Sequence, residues 1–288
     1  METNSTRAGA LAALGAFLIW GTFGLYFHAL GDVPAPEVLA HRVLGGGLSA
    51  LVVLALRGRL GEMAAVWRER GQLAGLTGSS VAIAVNWGVF IWAVANGRAL
   101  EASLGYFLFP LVSVLLGRLV LGERLSPRQW LAVALCALGV GWMMAGGSGL
   151  PWVALVLALS FGAYGLLRKT INVSSLAGLL VETAVLAPFA AAYLAFTGGG
   201  TAPHMGGGTI ALIALAGPVT AVPLVLFAFG ARRLRLSTLG LMMYVNPTVQ
   251  MLVAGYVLGE DFTPAHAVTF AAIWAGLAAY SWPGRREA

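Results

Sequence analysis

The stretch VLGERLSP, Val120 to Pro127, returns 137 residues later as VLGEDFTP, Val257 to Pro264. Five of the eight positions are identical, Ser126 is exchanged for Thr263, and the residue after the glutamate changes from Arg124 to Asp261. Each copy reads as a helix stop, a short turn and a new helix. Ser126 or Thr263 serves as N-cap, and Pro127 or Pro264 takes the first helical position, where the N–H it lacks would have no partner anyway. What surrounds the two copies decides the fold class. The chain of 288 residues is 59% hydrophobic and only 10% charged, with a mean hydropathy of +0.86. Soluble domains are about 25% charged and keep a polar exterior. An all-α, polytopic membrane protein is expected, with the lipid bilayer as its first partner. The net charge of +6 and pI near 10.0 suggest nucleic acid at first sight. The basic residues, however, fall in short loops between apolar runs, so no nucleic-acid partner is expected. The single cysteine, Cys136, lies inside an apolar segment and offers neither a disulfide framework nor a metal cluster. The first apolar run, from Ala8, is long enough to span and reads as a helix rather than a cleaved signal.

A span needs roughly 20 mainly apolar residues. Ten segments qualify: 8–30, 36–56, 73–95, 99–121, 128–146, 150–167, 175–196, 209–230, 236–258 and 265–282. Residues 57–72 suit a short helix on the membrane surface, and Thr197 to Gly208 form a Gly-rich connection. With the N-terminus in the cytoplasm, 15 of the 17 basic residues lie on cytoplasmic ends and loops, among them Arg7, Arg59, Arg124, Arg168, Arg233 and Arg286. Arg98 is external and Arg42 lies within span two. The outer loops carry Asp32, Glu101, Glu260 and Asp261. Both termini are therefore expected in the cytoplasm.

The repeat extends beyond the opening phrase. SLGYFLFP (Ser103–Pro110) answers to TLGLMMYVNP (Thr238–Pro247), and WGTFG (Trp20–Gly24) answers to FGAYG (Phe161–Gly165). Each half thus has five spans, residues 1–146 and residues 147–288. Five is odd, so the second half enters the membrane upside down. Glu123 is then cytoplasmic and Glu260 external, and the change from Arg124 to Asp261 is what the positive-inside rule selects. Inverted repeats of this kind mark secondary transporters, with the substrate site between the halves and alternating access around it.

The residues also carry a resemblance. VNWGVFIWAVANGRALEASLGYFLFPLVSVLLG followed by LGERLSPRQWLAVALCALGV, with HRVL at 41–44, YGLLRK at 164–169 and RLRLSTLGLMMYVNPT at 233–248, resembles the EamA branch of the drug/metabolite transporter superfamily, in particular its RarD-type proteins. The resemblance covers nearly the whole chain, and the motif of spans three to five is its specific part. It implies an exporter of small metabolites in the bacterial inner membrane. Members of the YddG kind export aromatic and other neutral amino acids, whereas RarD proteins carry a label for chloramphenicol resistance. Amino acids and drug-like aromatics both remain open as substrates.

Ionisable groups inside a span are expensive and point to function. Glu37, His41 and Arg42 fall in span two and Glu182 in span seven. His41 and Arg42 align with Glu182 and Thr183 at an offset of 141. One reading has Arg42 take a substrate carboxylate and Glu182 a substrate ammonium across one cavity. The other makes Glu37, His41 and Arg42 a local cluster one helical turn apart. Trp20, Trp87, Tyr106, Tyr164 and Tyr244 are candidates for aromatic walls, which suit a neutral or aromatic amino acid; lipid-facing or core packing is the alternative for each. Asn86, Asn246 and Gln250 supply amides, either to a cavity or as interhelical glue. Gly45, Ser49, Gly105, Gly240, Ala272 and Gly276 read as close-packing positions. There is no GxxxxGK[ST] loop, no metal-ligand spacing among four dispersed histidines and no catalytic constellation. No cofactor, no metal and no enzymatic activity are expected. Without a well-paired carboxylate at mid-depth, transport down the substrate's own gradient is the expected drive. The sequence sets no oligomeric state.

Overall fold

The computed structural model describes residues 2–122, 124–145, 150–201, 204–231, 233–234 and 242–281. Among these all regular structure is helical. Helices α1 (Glu2–Gly21) and α2 (Phe23–Ala29) form one broken rod. They are followed by α3 (Ala35–Leu56), α4 (Gly61–Arg68), α5 (Arg70–Ala95), α6 (Ala99–Leu121), α7 (Pro127–Met143), α8 (Trp152–Thr170), α9 (Ser175–Phe196) and α10 (Gly207–Ala231). Then come α11 (Val245–Leu252), which runs into a π-helical turn at Val253–Val257, and α12 (Pro264–Ser281). Seven helical stretches among the described residues are long and apolar enough to cross a membrane: α1 with α2, α3, α5, α6, α8, α9 and α10. The predicted fifth span appears as α7, with 17 residues, and the tenth as α12, with 18. The predicted ninth is described only from Met242 onward, and the predicted surface helix is α4. Glu123, Thr238 and Gly240 lie outside the described residues.

The opening phrase folds as its residues dictate. Gly122 and Gly259 both adopt positive φ, 69° and 72°, a backbone conformation that costs glycine nothing. Ser126 caps α7 in a reciprocal box with Gln129, and Pro127 sits at its first turn. Thr263 repeats the arrangement at α12, its Oγ1 accepting the His266 N–H at 3.4 Å. Large apolar side chains such as Leu119, Leu138, Phe189 and Phe196 face outward, whereas Glu37, Arg42, Asn86 and Glu182 are buried. That inside-out distribution belongs to a lipid environment.

Small residues set the approach of the helices. A Cβ on Gly45 of α3 would sit 3.0 Å from the Gly217 nitrogen of α10, so only glycine fits. The Ala272 Cβ of α12 presses on Gly139 of α7, and Gly276 lies against the Ala132 carbonyl. Three pairs of helices run antiparallel, as their cross-contacts show. In α3 and α9, Glu37 reaches Thr201 while Gly47 meets Thr183. In α6 and α11, Ala99 meets Glu260 just past α11 while Ser103 donates to the Pro247 carbonyl. In α7 and α12, Gly139 faces Thr269 while Gly276 faces Ala132. Helix α8 packs on α5 and α6, and α1 packs on α10 and α11.

Helix ends are tied by carboxylates distant in sequence. Glu260 accepts the Ala99 and Leu100 N–H groups at 2.6 and 2.7 Å, capping α6. Glu101 accepts the Val153 N–H at 2.8 Å, capping α8, and is itself clamped by Arg98 at 2.6 Å. An orphaned amide costs about 1–3 kcal/mol. Glu260→Ala, which orphans two, is expected to lower the thermal unfolding midpoint in detergent by about 4 °C or more. Asp261→Ala, at an exposed neighbouring position, is expected to leave it unchanged. Equal midpoints for the two variants would refute the capping role.

Candidate functional site

The candidates gather around two buried charges. Arg42, in the second turn of α3, is 5% exposed. Its guanidinium carbon lies 4.2 Å from the Trp87 ring centroid, 5.2 Å from Phe23 and 5.5 Å from Phe27. Its Nε donates to Thr220 Oγ1 at 3.2 Å, and Thr220 passes its own proton to the Ala216 carbonyl. Among the described residues no carboxylate comes within 4.0 Å of Arg42. The cation is thus held by aromatic faces and one hydroxyl, with no carboxylate among the described residues to neutralise it.

Glu182, 1% exposed, is the second charge. Ser79 donates to its Oε1 at 2.6 Å, and Tyr164 to its Oε2 at 3.5 Å. Arg168 Nη1 stands 3.8 Å from Oε1. Arg168 comes back from the last turn of α8 to face Glu182, where its sequence position suggested a loop cation.

An aromatic series joins the two charges. Phe27 meets Phe90 at 5.8 Å, Phe90 meets Tyr106 at 5.7 Å, Tyr106 meets Phe161 at 5.9 Å, and Phe161 stacks on Tyr164 at 5.8 Å. The amide of Asn86 braces the middle. Its Oδ1 accepts from the Tyr106 hydroxyl at 2.9 Å, and its Nδ2 donates to the Leu157 carbonyl and Ser160 Oγ. Arg42 and Glu182 do not pair with one another. Each lies seven residues inside the start of its helix, and those helices are antiparallel 22-residue rods. Gly47 of α3 meets Thr183 of α9 and sets the register; at 1.5 Å per residue, the two Cα positions are then about 9 Å apart along the axis.

The remaining candidates divide. Gln250 Nε2 donates to Asn246 Oδ1 at 2.9 Å and to the Trp20 carbonyl at 3.4 Å, at the break between α1 and α2. The Trp20 ring packs on Phe17 and Phe227. Tyr244 packs on the core shared by α6, α7, α8 and α12. His41 faces Glu37 at 4.0 Å, and Glu37 accepts the Thr201 N–H and hydroxyl at 2.8 Å each, tying down the loop after α9. The local-cluster reading therefore fits Glu37 and His41, while Arg42 turns away into its aromatic cage. Among the described residues, the buried side-chain polar atoms without a hydrogen bond are His41 Nε2, Arg168 Nη1 and Gln250 Oε1. Orphans of that kind call for a ligand or solvent partner.

Sequence reasoning passed over Ser79, Thr220, Phe23, Phe27, Phe90 and Arg168. One signal was available for the two hydroxyls. Ser79 and Thr220 are 141 residues apart, the offset that relates His41 to Glu182. The hydroxyl that serves the cation and the one that serves the anion occupy equivalent places.

Comparisons with known proteins place the chain in a family. Residues 7–145 match the EamA-like transporter family. Protein RarD of Escherichia coli is 43% identical, covering 97% of this chain and 96% of its own. An uncharacterized transporter of Pseudomonas aeruginosa is 44% identical over 100% of this chain and 97% of its own. The chloramphenicol-sensitive protein RarD of the same organism is 34% identical, over 96% and 95% respectively. A solved crystal structure superposes with a TM-score of 0.62 over 95% of this chain and 96% of its own, at 21% identity, a likeness of fold.

A buried cation without a counter-ion is a cost to stability, and replacing such a group by an apolar one of similar volume is often neutral or stabilising. Arg42→Met is expected to unfold in detergent at or above the wild-type midpoint. Trp87→Leu, which strips a face worth about 1–2 kcal/mol from the retained guanidinium, is expected to unfold below it. A midpoint for Arg42→Met several degrees under wild type would show that the arginine is there for packing.

Proposed function

The chain belongs to the EamA-like transporter family, in its RarD-type group, and we propose that it exports aromatic and other neutral amino acids across the bacterial inner membrane. The proposed frame has ten spans in two inverted five-span repeats, residues 1–146 and 147–288, with both termini cytoplasmic. Three matched helix pairs, α3 with α9, α6 with α11 and α7 with α12, run antiparallel, which supports that frame. So does the extent of the family match, residues 7–145, which ends at the proposed boundary. Spans one to four and six to nine surround the cavity. Helices α7 and α12 pack mainly on each other as scaffold. Access alternates as one bundle rocks against the other.

The observation that carries the substrate reading is Arg42 in its cage. A guanidinium with no carboxylate partner, walled by Trp87, Phe23 and Phe27, is a seat for a carboxylate on an apolar or aromatic body. Glu182 supplies the opposite charge for an ammonium. The wider candidate set around this path is Trp20, His41, Asn86, Tyr106, Tyr164, Tyr244, Asn246 and Gln250. The substrate's own gradient is the proposed drive, because Glu182 faces Arg168 at 3.8 Å without the closed ion pair of a proton-coupling carboxylate. A chloramphenicol-type drug is the second reading. The name of the chloramphenicol-sensitive Pseudomonas relative favours it, and the aromatic walls would take a flat uncharged body, yet such a cargo would leave Arg42 without an anion.

Counterflow in proteoliposomes separates the readings. Labelled phenylalanine and leucine are expected to exchange, with rates unchanged by an imposed pH gradient and little competition from chloramphenicol. Competition by chloramphenicol with no exchange of any amino acid would overturn the substrate reading, and an absolute requirement for the gradient would overturn the drive. The frame has its own test. In a Cys136→Ser background, Arg124→Cys is expected to react with an impermeant maleimide only from the cytoplasmic side and Asp261→Cys only from outside. Labelling of both from one side would refute the inverted repeat.

A further inference from the structure

We infer that Arg168 is a resident stand-in for the ammonium of the cargo: its guanidinium rests on Glu182 while that station is empty, and the cargo's amine must displace it. The inference rests on the amino-acid reading above and adds a specificity-determining residue to it.

The geometry of the pair is that of a contact left open. Arg168 Nη1 is 3.8 Å from Glu182 Oε1, whereas a closed charge-assisted bond runs at about 2.7–2.9 Å. Nη1 is buried and has no hydrogen bond at all. On the other side, Glu182 Oε1 takes a short bond from Ser79, and among the described residues Oε2 has only the Tyr164 hydroxyl at 3.5 Å. A donor and an acceptor thus face each other, both under-used, across a gap. The Arg98–Glu101 pair of the same chain, closed at 2.6 Å, shows what a purely structural clamp looks like here.

The guanidinium also has a prepared berth and a way out. It lies against bare backbone at Gly178, one turn before Glu182 on α9, where any Cβ would overlap it. Its Nη2 holds the Ser174 carbonyl at 3.3 Å, at the N-cap of α9. Ser174 in turn donates to Glu62 of α4 at 2.6 Å. With 14% of its side chain exposed, Arg168 can swing toward that carbonyl and release Glu182 without becoming desolvated and alone. Tyr164 and Arg168 are one turn apart on α8, so a single helix face presents both the hydroxyl and the competing cation to the carboxylate. A primary ammonium, with three N–H donors on one small centre, can close the gap that the planar guanidinium leaves. A carboxylic acid lacking an amine has nothing with which to displace it.

The test uses three labelled probes in counterflow with the full-length protein: phenylalanine, phenethylamine and 3-phenylpropionate. Arg168→Ala removes the internal competitor. It is expected to lower the half-saturation concentration for phenylalanine and phenethylamine by about fivefold, and to leave that for 3-phenylpropionate unchanged. Arg168→Gln keeps a polar head for the Ser174 carbonyl without the charge, and the same shifts are expected should the alanine variant fail to insert. An equal shift for all three probes, or no shift for any, would make Arg168 a structural residue and overturn the inference alone. Wild-type protein that exchanges none of the three would overturn the amino-acid reading and the inference together.

Discussion

A backbone amide that ends a helix in an apolar medium must find its acceptor within the protein, and this constraint governs where the chain spends its few acidic residues. There are eleven in all. Glu260 closes the start of α6, Glu101 the start of α8, and Glu62 holds the serine that caps α9. Glu37 anchors Thr201 in the loop behind α9. Each contact joins segments fifty or more residues apart. The carboxylates therefore do two things at once: they satisfy helix ends, and they fix which helix end sits beside which loop. Small residues then set the depth of contact, as at Gly45 against Gly217. The scaffold so built is what allows a guanidinium to remain buried on α3.

That guanidinium and Glu182 are the places where the structure accepts a cost. Arg42 has aromatic faces in place of an anion, and Glu182 has a cation that does not close on it. Both are compensated in part, Arg42 by Thr220 and Glu182 by Ser79. Partial compensation is what a site for a transient charged ligand needs. Full pairing would leave no free energy for binding, and no pairing at all would drive the helices apart or admit water. The rings between them, Phe27, Phe90, Tyr106, Phe161 and Tyr164, form a continuous aromatic surface from one charge to the other.

What the sequence made legible was whatever has a local signature. Gly122 and Gly259, Ser126 and Thr263, Pro127 and Pro264 can each be read from a few neighbours, because positive φ, N-caps and first-turn prolines are local properties. Arg42 and Glu182 were legible because a charge in an apolar run is conspicuous. Ser79 and Thr220 were passed over, since a lone hydroxyl in a span usually bonds back to its own helix and only their 141-residue offset relates them. Arg168 was misplaced for a different reason. Positive-inside reasoning assigns a basic residue at a helix end to the loop, whereas a long side chain can reach back along its helix for a turn or more. The grouping of Trp20 with Asn246 and Gln250 depended on the break at Gly21–Thr22, which brings α1 against α11.

The offset of 141 residues gives the two charges a common logic. It relates Ser79 to Thr220 and His41 to Glu182, so each half contributes the hydroxyl that serves the charge on the other. The hydroxyls keep the symmetry of the proposed repeat, but the charges break it. Had both halves kept the same charge, the two ends of the path would be equivalent, and a dipolar cargo would gain nothing from one orientation over the other. With a cation toward one end and an anion toward the other, their Cα positions about 9 Å apart along the helix axes, the path has a direction that the cargo proposed above, carrying both charges, can read.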